Sequence, residues 1–436
     1  MAKRKKVNKR RSAVIIAGVR TPFVKAFGDL LKVDTIGLGV AATRALLEKV
    51  GLPSREIESV VWGGVILPGT APNIAREIVL DLGLPPSIEA ATVSMACASG
   101  LRSITTVAAA IERGDIDVAV AGGSDSTSNA EIKLPQKVVH ALAPIAFGKA
   151  SPAQMLGVLA QLTPINEVLP RIPKIAERTT GETMGESAER MARRNEITRE
   201  AQDEFALRSH HRAARAIASG RFDDEVIPVS TGRDRWVHTD GLVRADTSLE
   251  KLSKLRPVFA RDGTLTAGNS SPLTDGASAV LLMSEEKAAA LGFEPKARIS
   301  SWHYVGVDPA DQLLMGPAIA IPTALDKSGL SLEDMDLVDL HEAFAAQVLC
   351  VLKMLGSDAF ARERLSRDKA VGDVNPDLLN IHGGSVSIGH PFGATGARMV
   401  TTMANELALT GKRHALLGIC AAGGLGAAAV LENAAV

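Results

Sequence analysis

Aromatic residues are scarce in this chain: Phe, Trp and Tyr make up 3% of its 436 residues, while the hydrophobic fraction is 46%. The core must therefore be built from Ala, Val, Leu and Ile, with 39 Gly allowing close approach, which suits tightly packed layers of helix and sheet. Net charge is also missing, at +0, so no global field draws in nucleic acid. Cysteines are few, and Cys97, Cys350 and Cys420 lie far apart with no CxxC pair. That spacing argues against a disulfide scaffold and a zinc site of the CxxC type, and points to a reducing compartment. The basic stretch Met1–Arg11 lacks the apolar segment of a secretory signal and reads as a flexible tail. The uncharged run Ala415–Leu431 is broken by Gly423, Gly424 and Gly426, so it reads as strand, turn and strand rather than a membrane span. At this length two or three compact units are expected.

Alternating strand and helix signals fill the first part of the chain. Ala13–Ala17 reads as a buried strand, Thr35–Val50 as a helix stopped by Gly51, and Val60–Val65 as a strand. A helix follows over Ala71–Leu82, with Pro72 early in it. Strand Ala91–Val93, helix Leu101–Arg113 and strand Val118–Ala121, closed by Gly122-Gly123, come next. From Ser126 the character changes. Between Ile132 and Ile175 lie Lys133, Lys137, Lys149, Arg171 and Lys174 against one acid, Glu167, and prolines interrupt the stretch. Met155, Leu156, Val158, Leu159 and Leu162 fall at helical spacing. This helix folds onto its own domain or contacts a partner or membrane surface, and both readings stand. Helices are expected over Met184–Asn195 and over Arg199–Ser219, the second capped by Thr198. The band 127–266 reads as an insertion, after which strands are expected at Ala279–Met283 and Ala297–Trp302.

A repeat ties the two ends together. Ala45–Leu52 is echoed by Thr323–Leu330, and Val60-Val61 by Val338. Cys97-Ala-Ser-Gly100, followed by helix and strand, is echoed by His390-Pro-Phe-Gly393, again followed by helix and strand, with Pro391 expected to start that helix. The repeat places Cys97 and His390 at equivalent turns, which can meet at a pseudo-two-fold centre.

The chemistry at such a centre is that of an activated thiol. Cys97 alone reads more readily as a small buried hydrophobe. A helix N-terminus beside it favours thiolate over thiol. His390 would take the thiol proton. Cys420 lies in the small-residue loop Gly418–Gly426, where backbone N–H groups can reach a ligand and a second thiol can act as acid and base, although core packing would also account for it. His341 follows the strand Leu337–Leu340, where open α/β sheets place site residues. Ala345 stands where a zinc protease helix needs its second His, so no metal is expected.

The motifs Cys97–Gly100, Thr266–Ser271 with Asp275-Gly-Ala277, Glu342–Phe344, Gly389–Pro391 and Cys420–Gly424 stand in the order found in the thiolases, which the chain resembles from about Ala13 to Glu432. The resemblance implies an α/β thiolase fold: duplicated βαβαβαββ halves in five α-β-α-β-α layers with an inserted loop domain. It implies a tail at 1–12, an N-terminal half at 13–126 and 267–290, a loop domain at 127–266 and a C-terminal half at 291–436. It implies CoA-dependent cleavage of 3-oxoacyl-CoA by a ping-pong mechanism, with no cofactor and CoA as co-substrate. Cys97, His390, Cys420 and His341 would be catalytic. The Cys97 and Ala422 N–H groups and His390 would hold oxyanions, and Ser271, Met184 and Phe344 would touch substrate.

His341 replaces the water-holding Asn of the short-chain biosynthetic branch, Ala422 stands where Gly is common, and Thr183 where a His is common. His341–Phe344 and Cys420–Gly424 are more similar to the β subunit of the fatty-acid oxidation complex. That favours degradation over acetoacetyl-CoA synthesis. It also implies a cytoplasmic homodimer or homotetramer, an α subunit with hydratase and dehydrogenase activities, and a peripheral membrane contact through 132–175, with no nucleic-acid partner. A carrier-protein condensing enzyme would need a His-Gly-Thr-Gly-Thr motif, which is absent. A non-catalytic subunit would not need its reactive positions intact.

Overall fold

The computed structural model describes residues 11–132, 134–148, 151, 157, 169, 176–232 and 234–436. In chain order the strands are β1 (Ala13–Arg20), β2 (Val24–Lys25), β3 (Ser59–Gly63), β4 (Glu89–Val93), β5 (Val118–Ser126), β6 (Val229–Gly232), β7 (Arg235–Val237), β8 (Thr274–Ser284), β9 (Ala297–Gly306), β10 (Leu337–Leu340), β11 (His414–Ala421) and β12 (Leu425–Asn433). Apart from the hairpin β6–β7, they form one hydrogen-bonded path, β10-β11-β12-β9-β1-β8-β5-β3-β4, with β2 on β8.

The path contains one pattern twice. In the first half β3 runs parallel to β4 and β5, then β5, β8 and β1 alternate in direction. In the second, β10 runs parallel to β11, then β11, β12 and β9 alternate. Leu379 bridges Val338 in parallel, occupying the place that β4 holds beside β3. The halves join where Val14 and Ile15 of β1 face Arg298 and Ala297 of β9.

Alternating side chains on these strands separate three apolar layers, as a two-residue period requires. Ala119 and Ala121 of β5 and Val280 and Leu282 of β8 face one cluster with Ala415, Leu417 and Ile419 of β11. Between them lie the helices Ser99–Arg113 and Gly393–Thr410, through Leu101, Ile104, Ala397 and Val400. The other face of the first half, including Val118, Val120 and Leu281, packs on helices Thr35–Val50 and Ile74–Asp81. The other face of the second half, including Leu416 and Val430, packs on Gly316–Ser328 and Ala345–Leu355. The result is the five-layered α-β-α-β-α sandwich. Small residues are needed in its middle. A Cβ at Gly123 would lie 2.0 Å from the carbonyl oxygen of Gly393, and one at Gly100 would lie 2.3 Å from the same atom.

Several helix ends follow their local chemistry. Asp34 accepts from the Gly37 N–H, and Gly51 closes the same helix at φ +69°. Thr183 and Glu186 form a reciprocal capping box for Met184–Arg194, and Thr198 caps Arg199–Ala218. Both of these helices lie between β5 and β8 in the chain. The buried Arg20 ties that stretch to the first half through Glu225 at 3.3 Å and Asp240 at 2.6 Å.

Three local expectations are corrected. Gly122-Gly123 does not close a strand, since β5 runs on to Ser126. The glycines instead make room for the Trp62 ring and the Gly393 carbonyl. Pro72 lies outside its helix, which starts at Ile74 because Asn73 provides the cap. Pro391 likewise precedes its helix, which starts at Gly393, where Asp125 accepts the N–H at 2.7 Å. The amphipathic segment Met155–Leu162, and the tail through Arg10, lie outside the described residues.

Candidate active site

Cys97 sits on a tight turn between β4 and the helix Ser99–Arg113. The residue before it, Ala96, has φ +47°, in the left-handed region that costs a non-glycine residue strain. Ser99 holds the turn from both sides: its Oγ accepts from the Met95 N–H at 2.8 Å and donates to the Ala96 carbonyl at 2.6 Å. A small side chain at 96 is thus part of the device that presents Cys97.

The repeat does bring its two marked residues together. His390 Nε2 lies 3.1 Å from Cys97 Sγ. The other ring nitrogen, Nδ1, lies 2.6 Å from Thr395 Oγ1, in the first turn of the helix Gly393–Thr410. The His390 backbone N–H donates to Thr274 Oγ1 at 3.0 Å. The ring is therefore fixed at both ends, with Nε2 aimed at the thiol.

Cys420, near the end of β11, lies close enough for its charge and that of Cys97 to repel. The Ala343 N–H faces the Cys420 sulfur, and the Ala422 N–H faces the Cys97 sulfur. Two backbone donors, Cys97 and Ala422, thus face the Cys97 sulfur. His341 lies against His390 with ring centroids 4.1 Å apart and the rings tilted at 45°. Its Nδ1 lies 3.0 Å from Ser385 Oγ, and its Nε2 is buried with no partner. Met184, Phe344 and Cys420 share one apolar cluster, in which Phe344 meets Phe259 edge-on at 5.7 Å. Ser271 approaches by its backbone, donating to the Ala343 carbonyl at 3.0 Å.

Acidities in the site are set by burial. Part of Cys97 remains open to solvent, yet enough protein surrounds the sulfur for burial to push its thiol up to about 12. The Ala422 N–H pulls the other way, and Asp125 adds to the rise. Burial and the field of Arg398 push His390 down to about 3. His341 is held well below its usual range by burial, His390 and Arg398, and Cys420 well above its own by burial and Cys97. The resting pair is thus a neutral thiol and a neutral imidazole. This corrects the expectation that the helix N-terminus makes a resting thiolate. A helix end is worth about 0.3–1 kcal/mol, under one pKa unit, whereas full burial moves a group by up to ~3–5 units.

A measurable consequence follows. Alkylation of Cys97 in the free protein by iodoacetamide should keep accelerating from pH 7 to pH 10. A preformed thiolate–imidazolium pair would instead give a rate already level across that range.

Composition and spacing missed several residues around this centre. Arg398 and Asp339 form a buried ion pair at 2.8 Å, with both side chains 2% exposed. Asp339 lies two residues before His341, and Arg398 three after Thr395, so the pair ties the two histidine-bearing elements together. One signal existed: Arg398 is the lone Asp, Glu, Lys or Arg between Leu378 and Asn405, in a run too apolar to leave it solvated. Glu342 accepts from Ser209, Asn380 and the Val386 N–H, which fastens the loop after β10 to the helix Arg199–Ala218. Asp125 accepts backbone N–H groups from Val65, Ile66 and Gly393, although burial pushes its carboxyl up to about 7. Nothing in local sequence marks those partners.

Comparison with known proteins gives concordant matches. The thiolase N-terminal domain family model matches residues 13–286, and the thiolase C-terminal domain model matches 293–433. A 3-ketoacyl-CoA thiolase of Pseudoalteromonas translucida (strain TAC 125) is 43% identical over 422 residues, covering 96% of each chain. One from Yersinia pestis (strain Pestoides F) is 44% identical over 423 residues, again covering 96% of each. Among solved structures, the acetyl-CoA acetyltransferase of Bacillus anthracis superposes with a TM-score of 0.82 at 34% identity, over 98% of this chain and 100% of that one. Human mitochondrial 3-ketoacyl-CoA thiolase in complex with CoA superposes with a TM-score of 0.81 at 31% identity, over 97% of this chain and 98% of that one.

Proposed function

This chain belongs to the thiolase family, and from that premise we propose that it is a degradative 3-ketoacyl-CoA thiolase working through an acyl-Cys97 intermediate. The observation that supports these roles best is the approach of His390 Nε2 to Cys97 Sγ at 3.1 Å, with the Ala422 N–H on the same sulfur.

In this reading the Cys97 proton passes to His390 Nε2 as the sulfur attacks the 3-keto carbon. The resulting oxyanion takes up the Cys97 and Ala422 N–H groups, both of which face the sulfur at rest. Collapse breaks the bond between carbons 2 and 3 and leaves an acyl group on Cys97. The departing acetyl-CoA enolate takes its proton from Cys420, a thiol whose environment keeps it protonated until a strong carbon base is present. Protonated His390, and His341 in the tautomer that carries its proton on Nε2, donate to the thioester oxygen of that enolate. In the second half the incoming CoA thiol gives its proton to the Cys420 thiolate and attacks the acyl carbon. Cys97 leaves as thiolate and recovers its proton from His390, which closes the cycle. Met184 and Phe344 offer apolar surface for the acyl-CoA, and Ser271 lies beside the loop that carries Phe344.

Thiolysis rates across 3-oxoacyl-CoA chain lengths, with acetyl-CoA as the measured product, test the substrate class. Turnover of chains longer than acetoacetyl-CoA is expected. Turnover of acetoacetyl-CoA alone would shift the reading to acetyl-CoA acetyltransferase, the name of the Bacillus anthracis neighbour.

The same reading includes a cytoplasmic homodimer or homotetramer, an α subunit carrying the preceding hydratase and dehydrogenase steps, and a peripheral membrane contact through 132–175. Support for an outward contact comes from the helix Gln136–Ala146 and its flanks, which leave Leu134, Val139, Ile145 and Phe147 exposed. Among the described residues no helix is long and apolar enough to cross a membrane. Co-sedimentation with anionic vesicles and the mass in solution check these contacts.

A further inference from the structure

Cys97, His341 and His390 each offer one atom able to ligate a metal, and these atoms lie within 4.8 Å of one another. We propose that this trio is an inhibitory site for a borderline-soft divalent cation, with zinc as the best fit.

The donor set and its support match what zinc requires. Zinc takes thiolate and imidazole together, and a tetrahedral site with bonds of about 2.0–2.3 Å sets neighbouring ligand atoms roughly 3.3–3.6 Å apart. His390 Nε2 and Cys97 Sγ already stand 3.1 Å apart. The third ligand closes on them by a shift shared among three side chains. His341 is fully buried, and its Nε2 has no hydrogen-bond partner, so no protein group competes with a metal for that atom. Each imidazole has its second nitrogen on a hydroxyl: Nδ1 of His341 on Ser385 Oγ, and Nδ1 of His390 on Thr395 Oγ1. With the proton on Nδ1, both Nε2 atoms are free to ligate and both rings are held in place, the arrangement that favours metal binding by histidine.

Binding replaces one proton. The Cys97 thiol loses its hydrogen to solvent, two nitrogen–metal bonds and one sulfur–metal bond form, and the metal keeps an open fourth position for water. The bound thiolate can no longer attack a carbonyl. Zinc therefore competes with acyl-CoA and protects Cys97 from alkylation. Magnesium, which prefers oxygen ligands, does neither. His341 makes the difference between a Cys–His pair and a three-ligand site.

Calorimetric titration of the metal-stripped full chain with zinc alone tests this without relying on turnover. One zinc per chain is expected, with one proton released, read by repeating the titration in buffers of different ionisation heat. His341→Asn should weaken binding by at least about tenfold. Prior alkylation of Cys97 by iodoacetamide in the unaltered protein should abolish it, so the test stands even if the variant does not fold. Unchanged affinity in a folded His341→Asn protein, binding that survives alkylation of Cys97, or no release of protons would each overturn the proposal. Cys420→Ser should leave zinc binding intact, and its loss there would assign the ligands differently.

Discussion

Cys97→Ala is expected to lower thiolysis by at least about ten-thousandfold while leaving thermal unfolding close to that of the parent protein. The turn is held by Ser99 and by backbone geometry at Ala96, and the cysteine side chain contributes little to either. Loss of the sulfur therefore removes chemistry rather than structure. His390→Ala should cost about a hundred- to ten-thousandfold, the usual worth of a positioned proton acceptor. The double variant should be no slower than Cys97→Ala alone, because the imidazole has nothing to activate once the thiol is gone. Additive losses would mean that His390 acts mainly elsewhere, for example on the thioester oxygen. Steady-state thiolysis of the three proteins, with unfolding curves alongside, separates these outcomes.

Asp339→Ala should be the most damaging single change to stability near the site. It leaves the Arg398 guanidinium buried without its counter-ion, a situation that costs roughly 3–5 kcal/mol. Asp339 Oδ1 and Arg398 Nε and Nη2 already lack protein partners, so no neighbour can take over the lost contact. A shift of the denaturant midpoint to lower concentration would read the effect. Replacing both residues, as Asp339→Leu with Arg398→Met, should recover much of the loss, since two apolar groups of similar size leave no unpaired charge. Arg398 also lowers the pKa of His390 and of His341. The double variant should therefore fold well yet show a raised His390 pKa, visible as slower alkylation of Cys97 at acid pH. Full stability in Asp339→Ala would show that the pair is solvated and that its field is weaker than its burial implies.

The layered fold was legible because strand and helix periods differ and glycine ends helices cleanly. Thr35–Val50 matches its helix residue for residue, and Leu337–Leu340 its strand. Cys97 and His390 were legible through the repeat, which turned two isolated residues into equivalent turns. What escaped depends on contacts between distant segments. Gly122-Gly123 looks like a stop, but its role is set by Trp62 and Gly393, far away in the chain. Thr395 and Ser385 orient the two imidazoles, yet a hydroxyl five residues after a histidine, or far from it, carries no local signal. The acidity of Cys97 was misread for a related reason. Its neighbours in sequence suggest a helix end, while the protein packed around it, invisible in sequence, dominates the energy.

The central claim is that Cys97 carries the acyl group between the two halves of the reaction. Mixing the protein with a 3-oxoacyl-CoA in the absence of free CoA, followed by acid quench and mass analysis of the intact chain and its peptides, tests it directly. The account predicts one shortened acyl group per chain, on the Cys97 peptide, with one equivalent of acetyl-CoA released. Acylation at Cys420 or Cys350, or release of acetyl-CoA with no acylated chain, would contradict it.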